Sequence, residues 1–253
     1  MGRRIARVIV RDRRLRWPIV KGLETALRKQ TVRRVDRRGK YLLIVLDGGT
    51  LIVHLGMSGS LRMLEATQPP RAHDHWDIVL DSGGALRFHD PRRFGSLIWT
   101  REDPLQHPLL VKLAPEPLGA AFDAEYLYRA TRKRAVAIKH LIMNSQSVVG
   151  VGNIYASEAL FRARVAPRRA ARRITRAEAH ALVQSIKEVL AEAVEIGGTT
   201  LRDYVNAEGT PGYFAQKLFV YERAREPCRV CKSPIKQFTQ GQRSTYWCSV
   251  CQR

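Results

Sequence analysis

The sequence predicts an α+β multidomain chain, in which an N-terminal antiparallel β-sandwich precedes a helical domain and a small cysteine-rich module. Three observations predict this order. Residues 1–100 contain short alternating apolar runs divided by glycine-rich turns. A helical apolar period replaces them after a proline-rich segment, and all four cysteines lie in the last 26 residues. With 253 residues, the chain is long enough for one large or two modest domains, each with its own core.

Residues 1–100 are predicted to form short antiparallel strands. Ile5, Val8 and Val10 alternate roughly with basic residues. Two hairpins follow, around the turns at 47–49 and 81–84, both of which carry Asp and Gly. The predicted strands after the first span residues 41–46, 50–54, 76–80, 85–89 and 94–100. Their spacing leaves no room for crossover helices, which favours a sandwich.

A change of period marks the helical domain. Residues 104–119 carry four prolines and are predicted to connect the two domains. Short helices are expected over residues 123–131, 136–143 and 153–164. Thr175 and Glu178 have the spacing of a capping box, and they open a long helix that Gly197-Gly198 would end. Its predicted apolar face consists of Leu182, Ile186, Val189, Leu190 and Val194. The segment 167–173 joins two helices and suggests a helix–turn–helix-like unit.

The cysteines have the spacing of a zinc ribbon. Cys228 and Cys231 form one pair, Cys248 and Cys251 the other, and sixteen residues separate the pairs. Two disulfides in a secreted tail are the alternative, which the absence of a signal segment and of any other cysteine disfavours. The residues between the pairs predict a short hairpin over 236–239 and 244–247, with Arg243 near its tip. A basic side chain held there suits contact with a nucleic-acid backbone.

The composition indicates a polyanionic partner. The chain has 44 Lys and Arg against 23 Asp and Glu, a net charge of +21, and the excess is spread along the chain. Such a field attracts nucleic acid. An anionic membrane is a weaker candidate, because no long basic amphipathic helix stands out. No apolar run approaches the roughly 20 residues of a membrane helix.

Four further segments carry a family resemblance. They read HLGMSGSLR at 54–62, HDPRRFG at 89–95, VGVGNIYASE at 149–158, and GGTTL at 197–201 with PGYF at 211–214. With the cysteine spacing, they make the chain resemble the formamidopyrimidine-DNA glycosylase family from about residue 5 to the C-terminus. The resemblance implies a β-sandwich over residues 1–112, a helix–two-turn–helix domain over 119–211 and a zinc finger over 219–253.

The resemblance implies excision of oxidised purines, 8-oxoguanine and formamidopyrimidines, from duplex DNA in base excision repair, followed by cleavage at the abasic site. The damaged nucleotide must be flipped out of the stack, at a cost of a few kcal/mol. By resemblance Met57, Arg92 and Phe94 fill the gap, with Arg92 bonding the orphaned base. Ordinary core packing is the alternative for Met57 and Phe94. The protein is expected to be a bacterial cytoplasmic monomer, associated with the nucleoid through DNA, with one structural Zn²⁺.

Contacts with phosphate would come from His73, Arg134, Asn153 and Arg243, by the same resemblance. Asn153 follows two glycines at a helix start, where backbone N–H groups converge on an anion, although a simple helix cap has the same pattern. His73 could equally be a solvated loop histidine. Which residue of Arg132-Lys133-Arg134 meets phosphate stays open. Arg243 also matches the finger arginine that assists the final elimination.

The catalytic amine poses a separate question. The family's nucleophile is an N-terminal proline followed by glutamate, and this chain aligns only after that opening, so we expect about 18 further residues to be encoded upstream. Lys40 matches the active-site lysine, but at a pKa of about 10.4 lysine is a poorer nucleophile than an α-amine at about 8. The chain as written is therefore expected to bind lesions and to excise them poorly, with residual abasic-site cleavage through Lys40.

Three alternatives remain at this point. The sister branch that removes oxidised pyrimidines is the nearest rival, although residues 199–201 and 211–214 favour the purine branch, because this region supplies the lid over a flipped purine. A catalytically impaired lesion-binding protein is the second. A zinc-ribbon RNA-binding factor would explain the charge and the cysteines but not the wedge motifs.

Overall fold

The computed structural model describes residues 2–196 and 218–253, which divide between two compact units. Residues 2–111 belong to the first unit, and residues 112–196 and 218–253 belong to the second. The predicted helix end at Gly197-Gly198 and the segments 197–201 and 211–214 lie outside the described residues. The division into three domains stays a prediction.

The first unit consists of two four-stranded antiparallel sheets. Strands β2 (Val32–Arg38), β3 (Tyr41–Leu46), β4 (Gly49–His54) and β8 (Ser96–Thr100) form one sheet in that order. The other sheet has the order β1 (Ile5–Val10), β6 (Asp74–Leu80), β7 (Gly84–His89), β5 (Ser60–Glu65). One short helix, α1 (Leu23–Leu27), lies between β1 and β2 in the chain. The antiparallel sandwich is confirmed.

A single hydrophobic core joins the two sheets. Trp76 of β6 stacks on Phe88 of β7, with ring centroids 5.2 Å apart, and both side chains are fully buried. Leu51 and Leu97 from the other sheet belong to the same cluster, as does Leu27 of α1. Burial of such side chains stabilises each by about 1.5–3 kcal/mol relative to exposure.

The sequence analysis did not predict β2, β5 or α1. Strands β2 and β5 are both sheet edges, and exposed residues dominate β2, which carries four arginines. In β2 the exposed arginines interrupt the apolar alternation. The last predicted strand was also two residues too long, since β8 begins at Ser96 and Phe94 lies in the preceding loop.

The second unit contains four α-helices among its described residues: α2 (Ala124–Thr131), α3 (Ile138–Met143), α4 (Asn153–Arg162) and α5 (Arg176–Glu195). The capping box at Thr175 and Glu178 is confirmed, with both reciprocal hydrogen bonds formed. The predicted apolar face of α5 is largely buried, but Val194 is 73% exposed and was wrongly included. Ala193 takes its place because it continues the spacing from Ile186 and Val189.

The hairpin of the second unit packs on α4. Strands β9 (Lys236–Gln240) and β10 (Arg243–Trp247) pair antiparallel, as predicted. Phe161 of α4 shares a small core with Val220, Ile235 and Tyr246, beside two of the cysteines. In the part of the chain that the structure describes, no helix has both the length and the apolar character needed to cross a membrane.

Candidate functional site

The four cysteine sulfurs form a cluster that fits a tetrahedral metal ion. Cys228 Sγ lies 4.0 Å from Cys251 Sγ, and Cys231 Sγ lies 3.4 Å from Cys248 Sγ. All four sulfurs lie within 4.8 Å of one another. Zn–S bonds of about 2.3 Å in a tetrahedron require sulfur separations of about 3.8 Å. These separations are too long for disulfides, and the four thiols are free, so the cluster has the geometry of a four-thiolate metal site and not of a pair of disulfides.

Arg243 opens β10, directly after the hairpin turn, where it pairs with Gln240. Two side chains hold the next residue in place. The carbonyl oxygen of Ser244 accepts hydrogen bonds from Lys139 Nζ at 3.3 Å and from Asn153 Nδ2 at 3.0 Å. The hairpin tip also abuts α3, since a Cβ on Gly241 would come within 2.6 Å of His140 Nε2. The position of Arg243 is therefore fixed by α3 and α4.

Lys139 is a buried cation that the sequence interpretation missed. Only 1% of its surface is exposed, and its ammonium also donates to Thr245 Oγ1 at 2.8 Å. Burial, together with the nearby charge of Arg243, lowers the pKa of Lys139 to about 8. The low pKa reflects the cost of desolvating an ammonium group.

Asn153 lies at the start of α4, as predicted, but its side chain has partners within the unit. The amide nitrogen donates to Ser244 O and, at 3.3 Å, to the Tyr221 hydroxyl. Both amide hydrogens are thereby used. An anion at this helix terminus, whose N-cap is Gly152, would meet backbone N–H groups.

The structure distinguishes Arg132 from Arg134 among the three basic residues at 132–134, and Lys133 between them is exposed. Arg132 donates to the carbonyl oxygens of Tyr128 and Ile174 and stacks on the Tyr128 ring at 4.1 Å, so it serves the fold. Arg134 is exposed, and its side chain has no hydrogen bond or ion pair within residues 2–196 and 218–253. Of these two arginines, Arg134 is the one available to a ligand.

In the first unit, the two predicted wedge residues are exposed. Met57 is 71% exposed and Phe94 is 41% exposed, which rules out core packing for either side chain. Their loops abut, because a Cβ on Gly56 would come within 2.6 Å of the Phe94 carbonyl carbon. The φ of +76° at Gly56 also favours glycine. The Arg92 guanidinium lies 4.8 Å above the Phe94 ring, in a cation–π contact. Met57, Arg92 and Phe94 therefore share one surface.

Lys40 is exposed at the turn between β2 and β3, next to Tyr41, which pairs with His54 of β4. Burial of the His54 ring, with the positive charges of Lys40 and Arg16, lowers the pKa of His54 below its usual value. Neutral His54 accepts a 2.9 Å hydrogen bond from the Gly56 N–H through Nδ1. His54 therefore connects the two places: it lies within the field of the Lys40 charge, and it bonds Gly56 in the Met57 loop.

His73 is an exposed loop residue before β6, with a left-handed backbone at φ +69°. Its carbonyl oxygen accepts the Asp90 N–H at 3.0 Å, which ties it to the segment that carries Arg92. The His73 ring lies 6.1 Å from that of His89, whose Nδ1 bonds the buried Asp74 carboxylate. The imidazole of His73 faces the exterior, where a phosphate could reach it.

Sequence models for three domains match the chain in the same order. The formamidopyrimidine-DNA glycosylase N-terminal domain matches residues 1–97, and the H2TH domain of the same enzyme matches residues 113–205. The zinc finger found in FPG and IleRS matches residues 225–253. Together with the sulfur geometry, this match supports one structural zinc ion per chain.

Similar proteins cover the whole chain. A formamidopyrimidine-DNA glycosylase of Thioalkalivibrio sulfidiphilus is 58% identical over 252 residues, which is 100% of this chain and 93% of the relative. One of Stutzerimonas stutzeri is 55% identical, with the same coverage.

Solved structures agree with the sequence comparisons. The MutM (Fpg) protein of Thermus thermophilus has a TM-score of 0.88 at 41% identity and covers 100% of this chain and 92% of its own. Lactococcus lactis Fpg bound to abasic-site DNA has a TM-score of 0.91 at 32% identity and covers 100% and 93%. Because the relatedness extends over all described elements and over the cysteine cluster, the chain belongs to the formamidopyrimidine-DNA glycosylase family.

Proposed function

We propose that the protein is a bifunctional DNA glycosylase and abasic-site lyase that removes oxidised purines from duplex DNA in base excision repair. One observation carries the assignment to damaged duplex DNA: Met57 and Phe94 are large and exposed on loops that abut, and Arg92 lies over the Phe94 ring. The Lactococcus lactis relatives, which bind DNA with a Fapy-dG or an abasic site, support the same substrate class.

The exposed surface suits the gap left by a flipped nucleotide. Unstacking a base costs a few kcal/mol, and apolar side chains inserted between base steps offset part of this cost. Met57 is unbranched and can adapt to the gap, whereas the Phe94 ring is planar and can enter between bases. The Arg92 guanidinium presents several donors in one plane, so it can bond the base that has lost its partner.

Phosphate binding would come from four separate positions. His73 lies in the first unit, while Arg134, the N-terminus of α4 at Asn153, and Arg243 lie in the second. Arg134 and Arg243 supply fixed charges on exposed surface, and the helix terminus supplies N–H groups and a positive dipole end. The net charge of +21 increases the rate of encounter with DNA.

The chemistry of strand cleavage needs an amine that attacks the abasic sugar, an acceptor for its C2′ proton and a cation that stabilises the leaving phosphate. We assign the amine to Lys40: its neutral form attacks the C1′ aldehyde, water leaves, and an imine joins nitrogen to C1′. A water molecule then accepts a C2′ proton, the C2′–C3′ double bond forms and the C3′–O bond to the 3′ phosphate breaks. The Arg243 guanidinium would bind phosphate and stabilise the charge of this leaving group. The zinc ion would cross-link the finger and hold the hairpin that carries Arg243.

End-labelled duplexes with one 8-oxoguanine, one oxidised pyrimidine or one abasic site test the proposal. We expect preferential binding and release of 8-oxoguanine over the oxidised pyrimidine, cleavage at the abasic site, and a covalent adduct after borohydride reduction. Lys40→Ala should lower the adduct yield, whereas Lys21→Ala, an exposed lysine elsewhere in the first unit, should not. Equal binding of all duplexes, with no cleavage at the abasic site, would contradict the proposal.

A further inference from the structure

The buried carboxylate of Asp90 connects the two loops that carry the wedge residues. Asp90 is 0% exposed. Its Oδ1 accepts a 2.8 Å hydrogen bond from the Ser58 hydroxyl, next to Met57 in the chain. Its Oδ2 accepts the N–H of Gly95 at 2.8 Å, and Oδ1 also accepts the N–H of Arg92 at 3.3 Å. One side chain thus bonds both the Met57 loop and the loop that carries Arg92 and Phe94.

The backbone of Asp90 is fixed as well. Its N–H donates to His73 O at 3.0 Å, and its carbonyl oxygen accepts from Nε2 of His75, a buried residue of β6, at 2.7 Å. The carboxylate therefore has a defined position relative to the sheet. Among the described residues no Arg or Lys forms an ion pair with it, so hydrogen-bond donors from the loops supply its stabilisation.

We propose that Asp90 is a positioning residue for lesion recognition, which holds Met57 and the Arg92–Phe94 loop together as one rigid wedge. This inference rests on the proposed function, because it assigns Asp90 a role only through the residues that would fill the DNA gap. A wedge must keep its shape while bases are pushed apart. Exposed loops have few apolar contacts of their own to resist that displacement, so the buried hydrogen bonds supply the stiffness.

The carboxylate is chemically specific for this role. Three donors point at its two oxygens, and a carboxylate accepts at both. An asparagine at this position would place an NH₂ group against either the Gly95 N–H or the Arg92 N–H, and one of these backbone donors would lose its acceptor. Ser58→Ala is the milder change, because it removes only the bond between the loops and leaves those within the second loop.

The test measures discrimination, defined as the ratio of Kd for an intact duplex to Kd for a duplex with a tetrahydrofuran abasic-site analogue. Ser58→Ala and Asp90→Asn are compared with Met57→Ala and Phe94→Ala. The control is Asp77→Asn, which disrupts another buried carboxylate of the same sandwich, paired with Arg11 and Arg87. Thermal unfolding of each variant reports the loss of stability.

We expect Ser58→Ala and Asp90→Asn to lower the ratio about five- to tenfold, with intact-duplex affinity changed less than about twofold. Asp77→Asn should lower stability and leave the ratio unchanged. If Met57→Ala lowers the ratio and neither Ser58→Ala nor Asp90→Asn does, the role of Asp90 is overturned while the wedge stands. An unchanged ratio in Met57→Ala and Phe94→Ala overturns the wedge and Asp90's role together. An equal fall of the ratio in Asp77→Asn would show that Asp90 contributes only to general stability, and the positioning role would be overturned.

Discussion

The ammonium of Lys139 donates a 2.8 Å hydrogen bond to the hydroxyl of Thr245, which joins α3 to the hairpin that carries Arg243. The same ammonium reaches the Ser244 carbonyl at 3.3 Å. Burying a charged amine is costly, and the fold offsets this cost only partly with two neutral oxygens. The position of Arg243 and the protonation of Lys139 are therefore linked.

We predict that Lys139 makes stability depend on alkaline pH. Its pKa falls from 10.5 in the unfolded chain to about 8 in the folded one. Between these two values the unfolded chain binds the proton more tightly, so stability rises with pH there and the penalty is fully present only below pH 8. Urea unfolding of the zinc-loaded wild type and of zinc-loaded Lys139→Met should be measured from pH 7 to 10. As the pH rises, the free energy of unfolding of the wild type should increase relative to that of Lys139→Met.

The neutral amine still donates to Thr245 and Ser244, so the wild-type hydrogen bonds persist at high pH. Lys133→Met, which removes an exposed lysine six residues earlier, serves as the control and should show no such trend. A difference between wild type and Lys139→Met that stays constant across this pH range would refute the prediction.

Removal of zinc should unfold the finger. Its small core contains Val220, Ile235 and Tyr246 packed on Phe161, too few apolar residues to hold the finger without metal. Elemental analysis should give one zinc per chain, and a strong chelator should reduce the near-ultraviolet signal, to which Tyr246 and Trp247 of the finger contribute, and weaken DNA binding. Cys248→Ser should behave like the chelated protein, whereas Ser249→Ala, between two ligands, should not. A metal-free protein with two disulfides would disprove this.

Local signals account for the parts of the fold that were predicted. The Asp-Gly turns set the hairpins, Thr175 and Glu178 set the start of α5, and the cysteine spacing set the metal cluster. Each of these signals consists of residues that are close together in the chain or that recur at a fixed spacing. Strand β2 was missed because its arginines mask the alternation at a sheet edge.

The residues that position the site could not be identified in this way. Asp90 contacts Ser58, 32 positions away in the chain, and Lys139 contacts Thr245, 106 positions away. Their partners are hydroxyl and backbone groups, which carry no recognisable pattern in the sequence. Lys139 gave no usable signal either, because it stands beside His140 in α3, and a lysine in such a context is ordinarily an exposed surface residue.

Arg132 and Arg134 should separate stability from DNA affinity. Arg132 bonds the Ile174 carbonyl and stacks on Tyr128, so Arg132→Ala should lower the free energy of unfolding by about 1–2 kcal/mol. Arg134→Ala should leave stability unchanged and should flatten the salt dependence of DNA affinity by about one unit of slope. Denaturant unfolding and binding titrations at several salt concentrations measure both. If Arg132→Ala flattens the salt dependence of DNA affinity and Arg134→Ala does not, the two assignments are reversed.

Arg92 and Arg243 should differ in what they recognise. Arg92 lies over Phe94 and would meet a base exposed only by flipping, so Arg92→Ala should reduce affinity for damaged duplex more than for intact duplex. Arg243 would meet phosphate, which every duplex has, so Arg243→Ala should weaken both about equally and flatten the salt dependence by about one unit. Arg101→Ala removes the same charge one residue beyond β8, about 16 Å along the strand from the Phe94 loop, and should do neither. Binding titrations with matched duplexes at two salt concentrations distinguish these cases. Equal losses on both duplexes for Arg92→Ala would show that Arg92 contacts the backbone and does not read the orphaned base.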